Sequence, residues 1–226
     1  MNSTHDRNKA DSVHERLVAY YGVPGWREPL SPIDELVSTI LSQNTNDRNR
    51  DAAFEALLRR YPSWEHVRDA DPGMLIDTIR VAGLANQKGP RIQAMLHQIT
   101  QEVGSLDLSF LSRIPAEEVR AWLKRFHGVG PKTAAIVMQY SLDMPAFPVD
   151  THVYRVTQRL GLTPARMNVE NAHIHLESLF SPENFKTDHL NIIRLGREIC
   201  SARNPRHEMC PLKDLCDYYS TVKDAA

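Results

Sequence analysis

The chain has 226 residues, 42% of them hydrophobic, which suits one domain or two small ones with a sizeable core. Its formal net charge of −1 excludes nucleic-acid binding through overall charge, so any DNA contact must use a local patch. No apolar run approaches the roughly 18 residues of a membrane span and no signal peptide is recognisable, so we expect a cytoplasmic protein, nucleoid-associated if bacterial.

The first 60 residues predict three helices. Residues 1 to about 9 are polar enough to be disordered, and a helix over residues 10–21 follows. Ser31 and Pro32 suit the cap and first position of a second helix, because a serine oxygen accepts a backbone N–H and proline has none to lose. The polar run over residues 42–47 ends that helix and caps a third, which reaches Arg60.

The rest of the chain also predicts helices, because apolar residues recur at helical spacing and Gly, Ser, Asp or Pro stands at the ends. The predicted ranges are 63–68, 72–81, a long helix ending near 104, 116–126, a helix through 133–138, 151–160, 169–179 and 186–200. No stretch alternates with a period of two. We therefore expect an all-α fold without a sheet.

Residues 126–152 (FHGVGPKTAAIVMQYSLDMPAFPVDTH) contain a predicted helix–turn–helix. Gly128 and Gly130 allow a tight turn, since glycine reaches positive φ without steric cost. Val129 between them can anchor the turn in a core, and Pro131 fits the first position of the next helix. That helix begins with free N–H groups and a positive dipole end, which suit a phosphate. The glycines would let a DNA backbone approach closely.

Lys132 and Asp150 are the candidate reactive residues. Lys132 lies in the first helical turn, where the macrodipole disfavours a cation and so favours the neutral, nucleophilic amine. Asp150 precedes another helical run, where a carboxylate is ordinarily an N-cap. Capping and catalysis are compatible, because a fixed carboxylate could still act on a substrate.

These residues closely resemble the endonuclease III family of helix-hairpin-helix DNA glycosylases. The likeness is carried by residues 128–134 (GVGPKTA) and 149–152 (VDTH), and it extends over about residues 30–216. It implies that Lys132 is the nucleophile and Asp150 the essential carboxylate. Phe126 and His127 replace a frequent Leu-Pro, which alters the hairpin's entry but leaves the reactive pair intact.

The resemblance also implies a domain organisation. Two helical lobes would flank a DNA cleft. Residues 32–144 would form a helical barrel with the helix-hairpin-helix. Residues 145–226 would form a C-terminal lobe with a metal loop, against which the N-terminal helix of residues 1–31 packs.

The C-terminal segment carries all three cysteines of the chain. Endonuclease III-like proteins have Cys-x6-Cys-x2-Cys-x5-Cys here, binding a [4Fe-4S] cluster. Cys200, Cys210 and Cys216 keep three positions, and His207 stands at the fourth. We expect these four to ligate a [4Fe-4S] cluster, since histidine can replace cysteine. The same four residues could instead hold zinc. A third interpretation is that the chain has lost the metal site and keeps three reduced cysteines.

Further residues are candidates for DNA handling. A glycosylase extrudes its target nucleotide, and Gln43 or Asn44 could bond the orphaned base while Leu84 wedges between bases. Asn44 aligns with the family's usual glutamine, which leaves the choice between the two amides open. Lys88, Arg91 and Arg155 are candidate phosphate contacts, and Gly128, Val129 and Gly130 are candidate contacts to the DNA backbone.

We therefore predict a bifunctional DNA glycosylase and AP lyase of base excision repair, acting as a monomer on damaged double-stranded DNA. The resemblance makes oxidised pyrimidines the expected substrates. An adenine glycosylase would lack the hairpin lysine and carry an extra C-terminal domain. The main alternative is a non-catalytic helix-hairpin-helix DNA-binding protein, which needs neither Lys132 nor Asp150 at these places. A zinc-stabilised structural module is a third possibility.

Overall fold

The computed structural model describes residues 4–25 and 28–223, and every regular element within these ranges is helical. This confirms the predicted all-α class. The α-helices are α1 (Thr4–Tyr21), α2 (Pro32–Ser42), α3 (Asp47–Arg60), α4 (Trp64–Arg68), α5 (Pro72–Thr78), α6 (Ala85–Val103), α7 (Ala116–Leu123), α8 (Pro131–Ser141), α9 (Thr151–Arg159), α10 (Val169–Glu177), α11 (Phe185–Glu198) and α12 (Asp217–Lys223). Short 3₁₀ helices cover Arg80–Ala82, Ser109–Arg113, Pro182–Asn184, His207–Met209 and Lys213–Leu215.

The start signals of α2 and α3 work as predicted. The Ser31 hydroxyl accepts the backbone N–H of Asp34 at 3.2 Å, and Pro32 is the first residue of α2. The side chain of Asn46, in the polar run between the helices, accepts the N–H of Asn49 at 2.9 Å. Each cap satisfies a donor that has no partner inside its own helix.

Helix α1 begins six residues earlier than predicted, so the expected disorder of residues 4–9 is wrong. Tertiary contacts order this polar turn: Arg7 Nε donates to the carbonyl of Ser178 at 3.2 Å, and Lys9 Nζ to Asp217 Oδ1 at 2.6 Å. The rest of the predicted disordered segment, residues 1–3, lies outside the described residues.

The chain divides into two compact units, which we call the hairpin unit (Pro29–Met144) and the terminal unit (Met1–Glu28 with Pro145–Ala226). In the hairpin unit α2 packs against α3, α6 and α8. Its apolar side chains Leu36, Val37, Ile40 and Leu41 are fully buried. Apolar burial of this kind is the main stabilising contribution to the unit.

In the terminal unit α11 packs against α9 and α1. Aromatic rings fill its core: Phe147 stacks on Phe180 at 5.1 Å between centroids and meets Phe185 edge-on at 5.3 Å. Such offset and T-shaped pairs are the favoured ring geometries. No helix among the described residues is long and apolar enough to cross a membrane.

Candidate functional site

The turn between α7 and α8 has the tight geometry that the glycines predict, although only one glycine needs positive φ. Gly128 has φ +89°, whereas Gly130 is extended at φ −89°, ψ −177°. Val129 is 4% exposed and Phe126 1%, so the predicted anchor is confirmed. The Val129 N–H donates to the Phe126 carbonyl at 2.9 Å, which closes the turn.

Gly130 and Lys132 present the open side of this turn. A Cβ at Gly130 would meet no atom within 4 Å, so another backbone can approach here. Gly130 is the N-cap of α8 and has no side chain to bond the first N–H groups, while Pro131 takes the first position as predicted. Lys132 follows with an exposed side chain. An exposed amine therefore stands beside uncapped N–H groups, which suit an anion.

Asp150 is the N-cap of α9, in the terminal unit. Its Oδ1 accepts the N–H groups of His152 and Val153, both at 2.8 Å. This fixes the carboxylate, and the side chain remains partly exposed. The structural role that the sequence predicts for Asp150 is present, and it leaves room for a second role. Lys132 belongs to the hairpin unit and Asp150 to the terminal unit.

Gln43 is held inside the hairpin unit. Its Nε2 donates to the carbonyl of Gly128 at 3.0 Å, and its Oε1 accepts from Arg91 Nη1 at 2.6 Å. Both ends of the amide are thus engaged with the hairpin and with α6. Neighbouring Asn44 is exposed. Of the two amides that the sequence leaves open, only Asn44 points to solvent.

Asn44 and Leu84 share a backbone feature. They have φ +52° and +49°, in the left-handed region that residues with a Cβ seldom adopt. Asparagine tolerates this conformation, but for leucine it costs on the order of 1–2 kcal/mol. Leu84 is nevertheless 46% exposed and follows Gly83, itself at φ +68°. An apolar side chain held in solvent by a strained backbone indicates a functional role.

The position of Lys88 contradicts its prediction as a phosphate contact. The side chain is 1% exposed, and its Nζ donates to the carbonyls of Leu41 at 2.7 Å and Ala82 at 2.8 Å. Leu41 lies in the last turn of α2 and Ala82 is the last residue of a 3₁₀ helix. The ends of helices carry unpaired carbonyls that attract cations. Burial, with a smaller contribution from Arg91, lowers the pKa of Lys88. Lys88 therefore supports the fold and is not at the surface to contact a phosphate.

Arg155 also has a structural role that its sequence position does not reveal. Its Nη2 donates to the carbonyl of Gly196 at 2.8 Å, and its Nε to that of Cys200 at 3.0 Å. These carbonyls lie at the end of α11 and at the start of the cysteine segment. The guanidinium thus joins α9 to that segment, while its predicted phosphate contact stays a prediction.

The four candidate metal ligands line one pocket of the terminal unit. Cys200, His207, Cys210 and Cys216 surround it together with Arg159. The His207 ring lies against Tyr219 at 5.0 Å and Tyr218 at 5.9 Å between centroids. The loop consists mostly of irregular backbone and two 3₁₀ turns.

The pocket places an arginine beside one thiol and partly buries the other two. Arg159 Nη1 donates to Cys200 Sγ at 3.2 Å. Burial raises the pKa of Cys210 and of Cys216, and Cys200 adds to this effect. A shared cation would reverse that effect, because a metal ion stabilises the deprotonated thiols that bind it. Within the described part of the chain, no three His, Cys, Asp or Glu side chains converge as they would around one ion.

Sequence reasoning missed the roles of Gln43 as a hairpin contact and of Arg159 beside Cys200. Both contacts join residues far apart in the chain, by 85 and 41 positions. No local spacing marks such pairs. The available signal was residue type alone: an amide at a helix end and an arginine in the helix that follows Asp150.

Comparison with known protein families gives two matches. Residues 37–182 match the HhH-GPD superfamily of base excision DNA repair proteins. Residues 200–216 match the iron-sulfur binding domain of endonuclease III, which supports an iron–sulfur cluster in the cysteine segment. The two matches cover the hairpin with Lys132, the helix-capping Asp150 and all four pocket ligands.

Individual relatives agree with these families. A relative in Arabidopsis thaliana that is named as a DNA glycosylase is 36% identical over 174 residues, 77% of this chain and 59% of its own length. The endonuclease III of Thermotoga maritima is 34% identical over 188 residues, 83% of this chain and 84% of its own. The protein in a non-covalent endonuclease III–DNA complex superposes with a TM-score of 0.81 at 24% identity, covering 96% of this chain and 98% of its own, which shows the shared fold.

Proposed function

Because this chain belongs to the HhH-GPD superfamily of base excision DNA repair proteins, we propose that it is a bifunctional DNA glycosylase and AP lyase. One observation carries the proposal: Lys132 is exposed in the first turn of α8, directly after the hairpin turn. A protein that only binds the DNA backbone needs the turn and the free N–H groups, but it needs no amine beside them. A buried structural lysine would look like Lys88.

The proposed chemistry uses the Lys132 amine as a nucleophile. Its Nζ forms a bond to C1′ of the damaged nucleotide while the glycosidic C1′–N bond breaks and the base leaves with a proton. Opening of the sugar ring gives a Schiff base between Nζ and C1′. Loss of a C2′ proton then expels the 3′ phosphate by β-elimination, which nicks the strand on the 3′ side of the lesion. Hydrolysis of the imine returns the free amine.

We assign to Asp150 the stabilisation of the cationic character that develops on the sugar. Its carboxylate is fixed by two backbone N–H groups, so little reorganisation is needed when charge develops. A fixed, partly exposed carboxylate is a suitable electrostatic partner for an oxocarbenium-like centre.

The proposed substrate is damaged double-stranded DNA, bound by a monomer, with oxidised pyrimidines as the expected lesions. The exposed residues Asn44 and Leu84 fill the space that the extruded nucleotide vacates. Asn44 bonds the orphaned base and Leu84 wedges between base steps. Gln43 does not take this part, because its amide is engaged with Gly128 and Arg91.

The proposed cofactor is a [4Fe-4S] cluster held by Cys200, Cys210, Cys216 and His207. Thiolates and imidazole are both accepted by iron–sulfur centres. Zinc accepts the same ligand set. The four side chains line a common pocket, and the match of residues 200–216 to the iron-sulfur binding domain of endonuclease III favours the cluster over zinc. When bound, the cluster would cross-link the loop.

A panel of damaged duplexes incubated with borohydride tests the function. Borohydride reduces a Schiff base to a stable amine, so a lyase becomes covalently attached to its substrate. We expect attachment to duplexes with an AP site or an oxidised pyrimidine, and none to undamaged duplex. Binding to every duplex without attachment or strand cleavage would favour the non-catalytic DNA-binding protein.

A further inference from the structure

Two side chains from separate parts of the hairpin unit meet at Gly128. The Gln43 amide, after α2, donates to the Gly128 carbonyl at 3.0 Å. The Arg91 guanidinium, from α6, donates to Gln43 Oε1 at 2.6 Å. The stem of Arg91 also packs on the glycine itself, because a Cβ at Gly128 would lie 2.3 Å from Arg91 Cδ. Gly128 is therefore held at its carbonyl and at its α-carbon by two side chains that hold each other.

We propose that Arg91 and Gln43 are positioning residues that hold the Gly128 turn in the conformation that binds the DNA backbone. This inference rests on the proposed function, because it explains how the hairpin is prepared for DNA. Neither residue contacts the reacting atoms. They act on DNA through the turn that presents Gly130 and the first N–H groups of α8.

The physical reason is the freedom of glycine. Gly128 sits at φ +89°, and an unrestrained glycine samples many backbone conformations. Ordering such a residue only when DNA binds would lower the affinity, since fixing one residue's backbone costs about 1–2 kcal/mol. A turn that is already fixed avoids that cost, which is the general benefit of preorganisation. The Arg91–Gln43 pair supplies the restraint.

The contacts also separate positioning from a direct phosphate contact by Arg91. The guanidinium is directed at Gln43, and its Nε is buried with no hydrogen-bond partner. A direct contact would make Arg91 matter alone and through its charge. Positioning makes Gln43, which is uncharged, matter as much as Arg91.

The test measures the Kd for a duplex that carries a tetrahydrofuran analogue of an AP site. The variants are Arg91→Met, Gln43→Leu and the double variant, with Arg59→Met as a control that removes an exposed arginine on α3. Methionine keeps an unbranched stem against Gly128 but cannot donate to Gln43. We expect each single variant to raise the Kd about tenfold, the size of one net hydrogen bond. The double variant should match the singles, because the residues act as one unit.

Two further readouts exclude a merely structural or a direct electrostatic role. The single-turnover rate of strand cleavage at an AP site, measured at saturating enzyme, should stay close to that of the wild type. The slope of log Kd against log salt should be unchanged in Arg91→Met, whereas loss of a direct phosphate contact would reduce it by about one. Gln43→Glu gives a second route if Arg91→Met folds poorly. It keeps the acceptor for Arg91 but replaces the donor to Gly128 with a carboxylate, and it should also weaken binding.

The possible results are distinct. An unchanged Kd in Gln43→Leu would overturn the positioning role. So would a double variant whose Kd rises by the product of the two single increases. A slope of log Kd against log salt that falls by about one in Arg91→Met would also overturn it. In all three cases the wild type still binds, so the proposed function stands. A wild-type protein that fails to bind the duplex would overturn both.

Discussion

Two lysines of the hairpin unit occupy similar places in the sequence but differ in exposure and in surroundings. Lys88 and Lys132 both lie in the first turn of a helix that follows a glycine-containing turn. Lys88 is 1% exposed and bonds two carbonyls, whereas Lys132 is exposed. The difference is set by what surrounds each helix start. The start of α6 lies beside two carbonyl ends that need a cation, and the start of α8 faces open space.

The same contrast recurs in the terminal unit between two aspartates. Asp150 is a partly exposed cap held by backbone N–H groups. Asp188 is 1% exposed and meets His14 Nδ1 at 2.7 Å. Asp150 is therefore accessible to a substrate, whereas Asp188 links α11 to His14 of α1. Variants at these positions should separate activity from stability.

The largest effect is expected for Lys132→Gln. The variant should lose the borohydride adduct entirely while keeping AP-site binding and thermal stability, because an exposed side chain contributes little to folding. Trapping on AP-site DNA with a melting curve measures both. Lys124→Gln, which changes another exposed lysine of the hairpin unit, should trap like wild type. An undiminished adduct in Lys132→Gln would show that another amine is the nucleophile, and Lys132 would then have no catalytic role to set against the structural role of Lys88.

Asp150→Asn should come next. Asparagine keeps an oxygen that can cap α9 but removes the charge, so the protein should fold and bind DNA. Base release in a single turnover should fall about 10²–10⁴-fold, the range for loss of a positioned carboxylate. Asp150→Ala serves as the control for the cap and should also lose about 1 kcal/mol of unfolding free energy. Near-normal activity of Asp150→Asn would leave this residue with its capping role alone.

Lys88→Met should show the opposite pattern. The carbonyls of Leu41 and Ala82 would remain buried without their donor, so the free energy of unfolding should fall by about 3 kcal/mol. Trapping per folded molecule should persist. Urea unfolding measures the loss, and Lys124→Met should change the unfolding free energy by less than about 0.5 kcal/mol. A stable Lys88→Met protein with weakened DNA binding would return Lys88 to the phosphate contacts that its sequence position predicts.

His207 offers a test in the metal loop. His207→Cys should retain iron and lower the cluster's reduction potential, because a thiolate adds a negative charge that neutral imidazole lacks. His207→Ala should lower the iron content. Metal analysis and the visible absorption of thiolate–iron bonds measure both variants. Purified protein that is colourless and holds one zinc per chain would replace the cluster with a zinc site and leave the Lys132 chemistry untouched.

For the buried aspartate we expect an effect of pH on stability and none on activity. Burial raises the pKa of Asp188 to about 6, above the 3.8 of the free side chain, although His14 opposes the shift. A raised carboxyl pKa means that the folded state binds the proton more tightly, so the contribution of Asp188 to stability is greatest below about pH 4 and is lost as the pH rises through 6. Asp188→Asn should remove this slope from the unfolding free energy. Parallel slopes in the two proteins between pH 4 and 6 would contradict the assignment.

Local signals predicted the features that depend on neighbours in the sequence. Ser31, Asn46 and Asp150 cap the helices that follow them, because a cap needs only the next three residues. The buried role of Lys88 needed Leu41, which is 47 positions away, and the Gln43 contact needed Gly128, 85 positions away. Such partners are chosen by packing, which no spacing in the sequence displays. Short elements such as α12 and the 3₁₀ turns were also not predicted, since they contain too few apolar residues for a periodic pattern.

The most direct test of the central claim is to locate the covalent bond. The borohydride-trapped complex with AP-site DNA can be digested with protease and nuclease, and the modified peptide sequenced by mass spectrometry. We expect the reduced sugar remnant on Lys132 and on no other amine. A remnant on another lysine or on the N-terminal amine, or the absence of any trapped complex, would contradict the assignment of Lys132 as the nucleophile.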